Sequence, residues 1–352
     1  MKVPYNDLTR IHTTELKQKF HEHLDTVIDT SAFVGHSKEF ENAVTTGTGT
    51  KHCVPCKSGT DALYLAIKSL GLAPGSKITV PAMTFAATAM SVVNAGHVPV
   101  FIDVDSETGL MLVDEVLKTE CDCIIPVHLY GQCVDVRPLV ATGIPVIEDC
   151  AQAYGSTIDG KHVGTFGKIG CFSFYPEKNL GALGDGGACI TNDPNLAATL
   201  TQLTKLGSKP LDRYDHQIIG SKSTLDNLQS LFLAEKLKHI ERWTDERIRL
   251  GNIYCDALPG VPKRSTIGKD VYHVFYTLQE DRGDYIKYMN EKGVQTNIQY
   301  PIALTKQTCF LPYVTGPCPN AESFSAKCVS IPLFPGMTSE EVEFTLTCHR
   351  GY

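Results

Sequence analysis

No apolar run in this chain of 352 residues approaches the ~20 needed to cross a bilayer. The opening residues, Met1 to Asp7, have no apolar core of a secretion signal. A cytoplasmic location without membrane contact is therefore expected. There is no basic excess either: 32 Lys and Arg stand against 39 Asp and Glu, for a formal net charge of −7. That balance disfavours a nucleic-acid surface, though it is compatible with a local basic pocket for a phosphorylated small molecule. No Gly-x-Gly-x-x-Gly follows a strand-like run, which argues against a nicotinamide dinucleotide site. Internal repeats and low-complexity segments are absent as well.

Cysteine, by contrast, is abundant. The thirteen cysteines are odd in number and scattered without regular spacing, as expected for small buried apolar residues in a reducing compartment. Cys53-Val54-Pro55-Cys56 lacks a second pair with metal-site spacing, since only one residue separates Cys121 from Cys123. No metal is expected.

With 42% hydrophobic and 20% charged residues, the chain can build two domains around a substantial core. Leu16, Phe20, Leu24, Val27 and Ile28 recur at helical spacing, so residues 13–30 read as an amphipathic helix. Strand-like runs follow at 51–56, 77–81, 98–104, 123–127, 145–149 and 188–191, with helical segments between them. This alternation indicates an α/β fold with a mostly parallel central sheet and helices on both faces. In such sheets ligands bind beyond the carboxyl ends of the strands, where His128, Asp149 and Gln152 fall. Residues 208–224 read as irregular and polar, and Leu225 to Leu250 as one long helix. Past Gly260 the pattern changes to a smaller α+β unit, so a large domain over 1–240 and a small one over 241–352 are expected.

The run Cys171 to Gly187 organises the rest. Lys178 follows an apolar and aromatic segment, with Pro176 just before it and four glycines after it. Pro176 denies that point a regular helix or central strand and predicts a turn. Beside apolar walls a lysine loses hydration and becomes available as a neutral nucleophile, as imine formation with an aldehyde requires. A surface-loop lysine beside a glycine turn is the alternative. Ser58-Gly59-Thr60 opens a helix whose body is 62–70; on its own the segment reads first as a plain cap, with an anion cradle as the alternative.

These segments together resemble the sugar aminotransferases of the DegT/DnrJ/EryC1/StrS type, pyridoxal 5′-phosphate (PLP) enzymes of fold type I. The resemblance is carried by Ala32-Phe33-Val34-Gly35, Ser58 to Leu63, Pro81 to Thr88 and Pro126 to Gln132. Glu148 to Ala153, Phe172 to Gly187 and Ser330 to Pro335 complete it, in the family's order over essentially the whole chain. It implies that Lys178 carries the cofactor as an imine and moves the reaction's proton. Asp149 would pair with the pyridinium nitrogen, Phe85 stack on the ring, and Gln152 orient its oxygen side. Ser58, Gly59, Thr60 and Ser173 would hold the phosphate, and His128, Tyr130, Asn179, Gln299 and Tyr300 would face substrate.

The resemblance further implies a homodimer with shared sites, in which the partner subunit's Lys222 reaches the phosphate where family members usually have asparagine; a solvated loop lysine is the alternative. Thr224, Gln299, Thr305 and Glu177 also depart from the family pattern and leave the acceptor undefined. The implied activity is transfer of an amine, with glutamate as donor and 2-oxoglutarate as its product, to a nucleotide-linked keto-sugar in amino-sugar biosynthesis. A sugar dehydratase of the same family is the nearest rival, and Lys178 argues against it, because histidine replaces that lysine there. A non-catalytic binding or regulatory protein retaining the fold is the rival from another class.

Overall fold

The computed structural model describes residues 1–35, 37–209, 212–258 and 260–352. Seven strands form the central layer: β1 (His52–Cys56), β2 (Lys77–Pro81), β3 (Val98–Ile102), β4 (Cys123–Ile124), β5 (Ile147–Asp149), β6 (Ile169–Ser173) and β7 (Gly187–Thr191). Hydrogen bonding orders them as β1-β7-β6-β5 and β3-β2-β4. Parallel bridges Ile124–Val146 and Val127–Asp149 join the two groups between β4 and β5. Only β7 runs against its neighbours, so the sheet is mostly parallel.

Helices cover both faces because the strands are apolar on both sides. On one face α3 (Gly59–Ser69), α4 (Ala87–Asn94) and α5 (Pro194–Leu203) bury Leu65, Ile67, Val92 and Leu200 against Val54, Ile78 and Ile169. On the other, α1 (Thr14–Thr30), α2 (Lys38–Thr48) and α6 (Asn227–Leu237) bury Phe20, Phe40 and Leu233 with Phe172 and Phe174. Ser37 caps α2 by accepting from the Phe40 N–H at 3.1 Å, a helix absent from the sequence reading.

Two further differences have physical causes. The expected single helix over 225–250 is broken at Lys238–His239 into α6 and α7 (Ile240–Ala257). The break lets α6 serve the sheet's core while Leu250 and Tyr254 enter a separate apolar cluster with Tyr285, Phe334 and Leu346. Residues expected to be irregular after 207 pair antiparallel as β8 (Ser208–Lys209) and β9 (Asp212–His216), and the second strand is wholly exposed and so has no apolar alternation to read.

The C-terminal unit pairs β10 (Phe275–Leu278) antiparallel with β11 (Cys328–Ile331), flanked by α8 (Arg282–Lys292), α9 (Pro319–Lys327) and α10 (Ser339–Arg350). The chain's first residues pack here and not on the sheet. Val3 bridges Val294, and Arg10 donates from Nη1 and Nη2 to the two oxygens of Glu341, each at 2.6 Å. Glu341 also accepts from the Thr338 N–H, closing a capping box that starts α10. A two-pronged, partly buried pair of this kind contributes more than an exposed one. Arg10→Ala is expected to lower stability by about 1–2 kcal/mol, read as a lower urea midpoint with an unchanged slope.

Candidate active site

A cavity of about 450 Å³ opens at the carboxyl ends of β2, β5 and β6. Its floor is Asp149, the last residue of β5, which is 3% exposed. One carboxylate oxygen accepts from the Ala151 N–H at 3.1 Å and the other from the Thr88 hydroxyl at 2.9 Å. Burial pushes the Asp149 pKa up, and those two hydrogen bonds, with the charge of Lys178, oppose the rise.

Lys178 enters the same cavity from the turn after β6, where its N–H donates to Tyr175 O at 2.8 Å. Buried Lys236 on α6 pins that turn, donating from Nζ to Gly181 O at 2.7 Å, and Gln229 accepts from the Leu183 N–H at 2.9 Å. Burial lowers the Lys178 pKa to about 8, against the opposing pull of Asp149 and Glu177. A substantial fraction of neutral amine at neutral to mildly alkaline pH follows. The site thus holds a nucleophilic amine near a buried carboxylate.

Beside them, the first turn of α3 meets the end of β6. The Ser58 hydroxyl caps the helix, accepting from the Asp61 N–H at 3.1 Å. Gly59 is needed here, because a Cβ would lie 2.6 Å from Ser173 Cβ. First-turn N–H groups without intrahelical partners, together with the hydroxyls of Thr60 and Ser173, make a suitable cradle for an anion. Phe85, 56% exposed, stands at the rim 5.3 Å from the Tyr300 ring. Gln152 accepts from the Tyr130 N–H at 2.6 Å and donates to the Tyr300 hydroxyl at 2.9 Å.

Of the residues singled out in the sequence, Ser58, Gly59, Thr60, Phe85, Asp149, Gln152, Ser173, Lys178, Gln299 and Tyr300 line this cavity. His128, Tyr130 and Asn179 lie behind its wall. His128 is fully buried: its Nδ1 accepts from the Val134 N–H, so the Nε2–H donates to Glu148 at 3.1 Å. Glu148 also accepts from the N–H groups of Gly164, Phe166 and Gly167. Cys150 sits close to this pair, but the His128 and Glu148 donor atoms are already engaged by protein groups. Tyr130 has φ 62° and no exposure, and its hydroxyl donates to Gln299 O. Asn179 bonds His273 and Val271 O. Lys222 is exposed, donates to the Thr224 hydroxyl at 2.9 Å, and does not line its own chain's cavity. Thr88, Glu177, Asp185 and His273 line the cavity without having been singled out as contacts.

The fold is that of PLP-dependent transferases of fold type I. The family model described as "DegT/DnrJ/EryC1/StrS aminotransferase family" matches residues 14–348, and the chain belongs to that family. The UDP-N-acetyl-3-dehydro-alpha-D-glucosamine 3-aminotransferase of Acidithiobacillus ferrooxidans is 36% identical, over 99% of this chain and 97% of that protein. A pleiotropic regulatory protein of Geobacillus stearothermophilus is also 36% identical, over 98% and 97%. The crystal structure of S. venezuelae DesV with a ketimine intermediate superposes with a TM-score of 0.94 at 31% identity, covering 99% of this chain and 98% of that one.

In protein freed of any bound aldehyde, Lys178 is expected to titrate near 8, measured by pH-dependent acetylation and peptide mass spectrometry. Asp149→Asn is expected to move that midpoint lower, because the lost carboxylate favours the ammonium form. A midpoint unmoved by the substitution would show that the two groups do not sense each other.

Proposed function

We propose that this chain is a PLP-dependent aminotransferase that converts a nucleotide-linked keto-sugar to an amino-sugar, with glutamate as amine donor. The observation that carries the reading is the convergence of Lys178, Asp149 and the α3–Ser173 cradle on one cavity. Those residues fit the cofactor in three respects. The missing Gly59 side chain lets the helix N-terminus and Ser173 close around a phosphate. The Asp149 carboxylate, held by Thr88 and Ala151, suits a protonated ring nitrogen. The exposed Phe85 ring offers a face for stacking.

When bound, the cofactor supplies an electron sink for the carbon that gains or loses a proton. The chain's own residues do the rest. Lys178, lowered toward 8, accepts and returns that proton at Nζ. At Asp149 the Ala151 N–H and Thr88 hydroxyl oppose the rise in pKa that burial causes, which favours the carboxylate that would pair with a protonated ring nitrogen. Gln152 and Tyr300, tied to each other, orient the oxygen side of the ring. Burial holds the Tyr300 phenol protonated, leaving it a hydrogen-bond donor.

The homodimer and the role of the partner subunit's Lys222 belong to the same proposal. Its support is that this exposed lysine stands on a loop tied to α3: the Ser223 hydroxyl donates to Asp61 at 2.7 Å, and the Lys57 N–H to Ser223 O at 3.1 Å. A regulatory reading is favoured by the name of one relative. The cavity's ionisable set argues for catalysis, since a purely regulatory protein has no need of a lysine with a lowered pKa beside a buried carboxylate.

Purified protein is expected to show a visible band that borohydride bleaches. Lys178→Ala is expected to lose that band and at least about 10³-fold in turnover. After conversion to the amine form with glutamate, UDP- and dTDP-linked 3- and 4-keto-sugars would be added in turn and return of the band followed. Recovery with a simple keto acid but with no keto-sugar would sink the sugar assignment.

A further inference from the structure

His273 lies outside every local motif, yet four features fix its backbone at the cavity wall. Gly131 has φ +94°, and a Cβ there would lie 3.0 Å from His273 N and 2.9 Å from Val271 Cγ2, so only glycine admits the 271–273 backbone. The His273 N–H donates to Tyr130 O at 2.9 Å. The buried guanidinium of Arg247 donates to the carbonyls of Tyr272, His273 and Leu333, and has no carboxylate partner among the described residues. Tyr272 itself is held at φ 45°, a costly conformation for an aromatic residue that persists only when its surroundings impose it. This bend delivers the next side chain to the cavity.

The ring's tautomer is also determined. Asn179 Nδ2 donates to Val271 O at 3.3 Å, so its Oδ1 faces His273 Nδ1 at 3.1 Å. An acceptor at that position requires the proton on Nδ1, leaving Nε2 with a lone pair. Nε2 has no hydrogen-bond partner among the described residues and is not one of the buried orphan atoms, so it is left open, and the His273 residue lines both the cavity that Lys178 lines and a smaller one beside Arg247. The charged groups around the two are Asp149 and Glu177 near Lys178, and Arg247 near His273.

We propose that His273 is a positioning residue for Lys178, its Nε2 accepting a hydrogen bond from the Lys178 ammonium and aiming that amine while it carries a proton. The role rests on Lys178 being the reacting amine. Burial, with the neighbouring charges of Lys178 and Arg247, keeps the imidazole neutral far below the usual histidine range, so it stays an acceptor throughout the working pH range. Asn179, placed behind the wall, acts through this ring, and Gly131 makes the approach possible.

The test uses the full chain freed of cofactor and labelled with ¹⁵N-histidine. The His273 resonances should show a protonated Nδ1 and an unprotonated Nε2. In His273→Phe the Lys178 midpoint, read by acetylation, should fall by about half to one pH unit, the worth of one hydrogen bond. His273→Gln, which restores an acceptor, should return most of that shift. Protonation at Nε2 in the wild type overturns the proposal, whether or not either variant folds. So does an unmoved midpoint in a His273→Phe protein with native circular dichroism. Neither readout involves turnover, so a failed sugar assay leaves this result standing, and an unmoved midpoint leaves the aminotransferase reading standing.

Discussion

The arrangement of this molecule depends on holding a lysine and a carboxylate together where water is scarce. Removing either charge from water is unfavourable, and their mutual attraction offsets only part of that cost. At Lys178 desolvation wins and the pKa falls; at Asp149 it raises the pKa, while two donors and the lysine's charge act to keep the carboxylate ionised. The pair persists only because other elements fix both backbones. Asp149 closes β5 in parallel register with β6, opposite Cys171. Lys178 hangs from a turn that α6 ties down through Lys236 and Gln229.

That dependence explains features which look unrelated along the chain. Lys236 is a buried lysine on a helix, far in sequence from the cleft, and its Nζ donates to the Gly181 carbonyl within the lysine's turn. The break before α7 sends that helix into the C-terminal cluster, where Arg247 can collect three carbonyls, including that of His273. The His273 N–H, donating to Tyr130 O at 2.9 Å, then ties this wall to the sheet-bearing part of the chain.

The alternating pattern made the α/β fold legible, and helical spacing set α1 nearly to the residue. Lys178 and Asp149 stood out because each carries a local signal, a proline–glycine turn in one case and a strand end in the other. Where local position and long-range packing conflict, the sequence misleads. His128 and Tyr130 directly follow a strand, as a substrate contact would. Glu148, whose other hydrogen bonds run to the N–H groups of 164, 166 and 167, holds the His128 ring inward. At Tyr130 a left-handed backbone takes the side chain into the core against Tyr276 and Phe324. The pairing of β8 with β9 left no trace because none of the described residues on these two strands is buried.

His273 is the converse of His128. Nothing within ten residues of it announces a site, because the groups that orient it come from positions 131, 179 and 247. Yet its chemistry follows once those three are placed. A histidine with both nitrogens satisfied inside the protein, as in His128, has no valence left for a ligand and serves the fold. One with Nδ1 committed to an amide oxygen and Nε2 open has a defined acceptor and a defined direction. The distinction between a structural and a site histidine therefore lies in how many of its two nitrogens the protein has already used, and only the long-range contacts reveal that number.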